Sequence, residues 1–121
     1  MLSMTQLFLL ERKLFKLFIE LLKIGLPQEI KIKDNIIESE SVLWLLKTGV
    51  NVENNQLKLV KGYPIVIHWD LKIDKQWHGE VLKDLPIYYW IREDKDIEEQ
   101  FDYLTEQTGW LIHSYDEVEL D

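Results

Sequence analysis

The sequence predicts an α+β fold, a largely antiparallel sheet with helices packed on one face. Apolar residues recur at helical spacing through the first 24 residues. They alternate at strand spacing from Pro64 to Asp74, and helical spacing returns after Asp96. A length of 121 residues suits one domain, and a hydrophobic fraction of 46% is enough to build one core and rule out general disorder. Within this single domain, residues 1–26 read as a long apolar helix, 27–92 as a helix plus sheet, and 93–121 as an acidic helix and final strand.

The first helix is expected over Ser3 to Ile24. Ser3 or Thr5 is its cap, Leu7, Leu10, Leu14, Leu17 or Phe18, and Leu21 are its stripe, and Gly25 and Pro27 are its stop. Phe8, Leu9, Phe15, Ile19, Leu22 and Ile24 widen the apolar surface beyond one packed face. That leaves Glu11, Arg12, Lys13, Lys16, Glu20 and Lys23 as a narrow polar ridge. Such a helix is sandwiched in the core, shared with a second copy through residues 3–24, or laid on a membrane surface. Its few, mixed charges make the last a weak anchor.

Ile30 to Lys33 alternates like a short edge strand. Ser39 or Ser41 caps a short buried helix over Val42 to Lys47, which Gly49 ends. Asn54-Asn55 suits a turn at positive φ, and Leu57-Lys58-Leu59 begins the sheet. From Pro64 to Asp74 the residues Ile65, Ile67, Trp69, Leu71 and Ile73 share one face. The expected partner strand is Trp77 to Leu82 across a three-residue loop, Asp74-Lys75-Gln76, with Ile73 opposite Trp77 and Trp69 opposite Val81. Pro86 opens a further aromatic strand, Ile87 to Arg92. Asp96 caps the next helix in a capping box with Glu99. Ile97, Phe101, Leu104 and Thr108 line its inner stripe and Gly109 stops it, and Trp110 to Tyr115 forms the last strand.

Composition excludes several functions. With no cysteine there is no disulfide framework, thiolate zinc site or cysteine nucleophile, and a reducing, cytoplasmic setting is the simple expectation. Apolar runs near the N-terminus are broken by charge well short of the ~18 residues that read as a spanning helix. The glycines at 25, 49, 62, 79 and 109 are isolated, so no phosphate-cradling loop or dinucleotide fingerprint is present, and no serine sits in a nucleophile elbow.

Net charge is −8, and its distribution says more than its total. Residues 1–26 carry a net +2, residues 27–92 are neutral, and Glu93 to Asp121 hold eleven carboxylates against Lys95 alone. That field repels nucleic acid and anionic membranes and attracts basic proteins. The leading expectation is therefore a non-enzymatic interaction module of the inhibitor, immunity or adaptor type. It docks a basic protein through Asp96, Glu98, Glu99, Asp102 and Glu106, with Tyr88, Trp90 and Arg92 as exposed anchors on the outer side of their strand. Trp44, Trp69 and Trp77 are expected on inner faces.

No cofactor is expected on this reading. The alternative is a divalent metal, zinc, manganese or iron, held by His68, Asp70, His78 and Glu80. The expected hairpin register would bring these four to one sheet face, where a carboxylate beside an imidazole suits metal binding or acid–base work.

Overall fold

The computed structural model describes residues 3–28 and 39–120, and the α+β expectation holds with four helices and two small antiparallel sheets. Helix α1 (Met4–Ile24) begins where expected. Ser3 accepts a hydrogen bond from the Gln6 backbone N–H, and the Gln6 side chain accepts from the Ser3 N–H in return. Gly25 ends it at φ 112°, and a two-residue strand β1 (Leu26–Pro27) follows. The expected edge strand at Ile30 to Lys33 lies outside the described residues.

Helix α2 (Glu40–Thr48) takes Ser39 as its cap, and Gly49 closes it. Strands β2 (Val50–Glu53) and β3 (Gln56–Leu59) form a hairpin whose turn residues Asn54 and Asn55 both have positive φ, as expected. β1 adds to β3, completing the smaller sheet in the order β1-β3-β2. The larger sheet has the order β5-β4-β6, built from β4 (Gly62–Asp70), β5 (Tyr88–Arg92) and β6 (Leu111–Glu117). Helix α4 (Ile97–Thr108) joins β5 to β6. Its Asp96 cap accepts from the Glu98 N–H, not from Glu99 as a capping box requires, and Gly109 ends it in the left-handed conformation.

The expected partner strand at Trp77 to Leu82 does not form. Residues Lys75–Trp77 make a single 3-10 turn and His78–Leu82 a short helix, α3. The reason lies in which strands claim β4. On one edge Gly62 to Val66 pair with Tyr88 to Arg92, and on the other Ile65 to Asp70 pair with β6. Both edges of β4 are thus taken, and its regular pairing ends at Asp70 rather than Asp74. Residues 71–87 become the connection that returns the chain to β5. Trp77 is consequently exposed, whereas Trp69 is partly buried and donates its indole N–H to the Pro86 carbonyl at 2.8 Å.

Helices cover both faces of the larger sheet, not the single face expected. On one face Phe15, Phe18, Ile19 and Leu22 of α1 pack with Tyr88, Trp90 and Val66. On the other Leu104, Phe101 and Ile97 of α4 pack with Ile65, Ile67, Tyr89 and Ile91. α2 lies along the free edge of β5, giving Val42 and Leu45 to the first core and Trp44 to the second. Tyr88 and Trp90 are therefore buried, at 7% and 6% exposure, correcting their expected place as exposed anchors. Trp90 spends its indole N–H on the Val60 carbonyl at 3.0 Å.

Two details of α1 also differ from expectation. The inward face is centred on Phe15, Phe18 and Leu22, while Leu10 and Leu17 of the expected stripe are exposed. Glu11, placed on the polar ridge by sequence, is buried. Its carboxylate accepts from the Ser39 hydroxyl at 2.6 Å and more weakly from the Ser41 N–H at 3.3 Å. A carboxylate at the start of α2 meets its positive dipole end, which offsets the cost of burying the charge.

Candidate functional site

A cleft of about 560 Å³ opens between the C-terminal end of α2 and α4. Its position follows from the packing of α2 along the β5 edge and α4 across the sheet face, two helices that meet through Trp44 and Tyr103. Lys47, Thr48, Tyr89 and Arg92 line one side, and Glu99, Gln100, Asp102, Tyr103 and Glu106 of α4 the other, with Lys95 at the rim.

Tyr89 and Tyr103 line the cleft, and the buried Trp44 packs against both. Trp44 and Tyr103 meet edge to face with ring centroids 6.0 Å apart, and Tyr89 lies 6.5 Å from Trp44. The Lys47 ammonium rests 4.5 Å from the Trp44 ring centre and 5.7 Å from that of Tyr103, within cation–π range of both. Burial pushes the Tyr89 phenol above the ordinary tyrosine range, and a hydrogen bond with Thr48 offsets part of that rise.

Gln100 ties the two sides together. Its Oε1 accepts from the Arg92 N–H at 2.9 Å, and its Nε2 donates to the carbonyls of Arg92 and Lys95 at 3.0 and 3.1 Å. One amide thereby supplies the end of β5 with the partner a neighbouring strand would have given, and anchors the first turn of α4 to it. Arg92 is held by a two-point contact with Asp94, 2.9 and 2.8 Å, and donates to the Thr48 carbonyl at 3.2 Å. That guanidinium holds the Asp94 carboxyl below the ordinary aspartate range.

Of the expected docking residues, the fold brings Arg92, Glu99, Asp102 and Glu106 to this one cleft. Glu98 is exposed on the first turn of α4 and Asp96 serves as its cap. Among the described residues Glu98, Glu99, Asp102 and Glu106 have no ion-pair partner within 4.0 Å. Tyr88 and Trp90 point to the opposite side of the sheet, under α1.

The four candidate metal ligands are not assembled, because the hairpin that placed them on one face is absent. The His68 Nε2 instead hydrogen-bonds with Asp116 of β6 at 2.8 Å, Asp70 lies 3.9 Å from Lys72, and the His78 Nε2 meets the Ile73 carbonyl at 3.0 Å. Glu80 pairs with Lys83 one turn along α3. Among the described residues no three His, Asp or Glu side chains are grouped to hold a metal ion.

The sequence reading missed Lys47, Tyr89 and Tyr103 as cleft residues, since nothing local says that α2 and α4 flank the same strand. Gln100 did carry a signal. It is a polar residue three positions after Ile97 and four before Leu104, inside the apolar stripe, where burial demands a hydrogen-bonding task. Comparison with protein-family models, with curated proteins and with solved structures found no match.

Proposed function

We propose that the protein is a non-catalytic interaction module that docks a basic segment of a partner protein on α4, with an Arg or Lys side chain of the partner entering the α2–α4 cleft. The observation that carries this reading is the disposition of Glu99, Asp102 and Glu106. They line a cleft that also presents Tyr89 and Tyr103, and the Tyr103 ring already lies within cation–π range of a cation, the chain's own Lys47. An incoming guanidinium would find carboxylates for two-point hydrogen bonding and ring faces for stacking, the contacts arginine is suited to make. The net charge of the last 29 residues adds long-range attraction for such a partner and repulsion for nucleic acid. We place the module in the cytoplasm, because a chain with no cysteine draws nothing from an oxidising compartment.

The test is a pull-down from native lysate with the full chain as bait, comparing two variants of equal charge. One neutralises the cleft, Glu99→Gln, Asp102→Asn and Glu106→Gln; the other neutralises β6 and its extension, Asp116→Asn, Glu117→Gln and Glu119→Gln. A basic protein retained at low salt should be released at high salt, lost by the cleft variant, at least tenfold if each pair contributes ~0.5–1 kcal/mol, and kept by the β6 variant. Equal loss from both variants would reduce the effect to net charge and overturn the cleft reading.

A further inference from the structure

Among the described residues, helix α1 carries apolar surface beyond what its core takes, at Leu10, Leu17 and Ile24. Phe15, Phe18, Ile19 and Leu22 face the sheet, yet six further aliphatic residues form a second stripe beside them. Leu7, Leu14 and Leu21 repeat every seven residues at the core margin, half-buried. Leu10, Leu17 and Ile24 repeat every seven residues outside them, at 44%, 49% and 78% exposure. The alternating spacing of three and four is that of a coiled-coil seam, extending about 26 Å at 1.5 Å per residue.

We propose that this stripe seats the same helix of a second copy of the chain, antiparallel about a two-fold axis. The register is fully self-complementary. In an antiparallel seam each residue of the inner set packs on one of the outer set across the axis. Leu7 then meets Ile24 of the second copy, Leu14 meets Leu17, and Leu21 meets Leu10, and the two-fold repeats each contact. None of the six is left without a counterpart.

The charges select the same arrangement. On the flank away from the core, the positions bordering the seam are Lys13 and Glu20, both exposed. The antiparallel register sets Lys13 of each copy beside Glu20 of the other, two opposite-charge pairs by symmetry. A parallel seam would instead bring Lys13 against Phe18 of the second copy, a residue already buried in its own core. A basic protein is a poor occupant, since Leu10, Leu17 and Ile24 offer it no carboxylate. This assembly does not depend on the acidic cleft, which lies across the sheet from α1.

Sedimentation velocity of the full chain across a concentration series tests the proposal. A monomer–dimer equilibrium is expected, which Leu17→Lys, a change at an exposed site, converts to monomer while leaving the circular dichroism spectrum unchanged. Lys13→Glu should raise the dissociation constant about three- to tenfold, and the swap Lys13→Glu with Glu20→Lys should restore it. A wild-type chain that stays monomeric to its solubility limit, or a dimer indifferent to Leu17→Lys, overturns the interface. Failure of the charge swap to restore affinity overturns the antiparallel register.

Discussion

Ser41 shows how one residue links three elements. Its Oγ accepts from the backbone N–H groups of Ile87 and Tyr88, each at 3.0 Å, along the β5 edge that no strand covers. Its own backbone N–H is turned toward Glu11 of α1. Ser41 is fully buried, so Ser41→Ala leaves two donors with neither partner nor water. The expected loss is about 1–3 kcal/mol, measured as a shift in urea midpoint with unchanged slope. Next to it, Ser39 accepts from the Val42 N–H at 3.1 Å and donates to Glu11, so a helix cap on α2 is also an inter-helix contact. The sequence marked both serines as candidate caps. What each bonds beyond its own helix depends on residues 28 and 46 positions away, which no local pattern reports.

Among the elements, α2 concentrates competing electrostatic effects in its first turn. Glu40 sits where the helix dipole favours a carboxylate, yet burial, then Asp84, then Glu11 raise its pKa above the ordinary glutamate value. The direction of the shift says that desolvation and repulsion outweigh the dipole. A raised carboxyl contributes stability below its unfolded pKa and loses that contribution as pH rises through the folded value. Glu40→Gln is therefore expected to be more stable than the wild type at pH 7, the difference closing as pH falls to about 4, where Glu40 is itself protonated. Thermal unfolding of both chains across that range checks it, and a variant less stable than wild type at neutral pH would show that the dipole dominates. The helix itself was legible from Ser39 and Gly49 in the sequence. Its burial on two cores at once was not, because that follows from lying along a sheet edge.

Charge acts on the entire fold through its sign asymmetry. Most of the uncompensated carboxylates lie on α4 and β6, and Glu98, Asp102 and Glu106 stand four residues apart on one helix, a spacing at which like charges repel. Such a surface carries a cost in stability of the free protein, which on the proposed function a basic partner would relieve. Raising sodium chloride from low to near-molar concentration shortens the screening length to about 3 Å and should raise the melting temperature, by roughly 2–6 °C if about 0.5–1 kcal/mol of repulsion is relieved. A melting temperature that falls with salt would mean that attractive pairs such as Arg92–Asp94 and His68–Asp116 outweigh the repulsion. No helix among the described residues is long and apolar enough to cross a membrane, in keeping with the charges that interrupt α1.

Local chemistry was enough to locate α1, α2, α4, the Asn54-Asn55 turn and the aromatic strand β5. Caps, breakers and periodicity act within a few residues of themselves, so they read directly from the chain. Three matters were settled by long-range packing. β4 bonded to β5 and β6 in place of its nearest neighbour in sequence, which dissolved the expected hairpin and with it the metal cluster. Tyr88 and Trp90 turned inward because α1 covers the face they occupy. α1 chose Phe15, Phe18 and Leu22 over Leu10 and Leu17 for the core, a choice open to a helix apolar on most of its circumference. Each depends on competition among distant surfaces for the same buried area, and strand pairing and helix rotation are resolved by the total apolar surface they bury together.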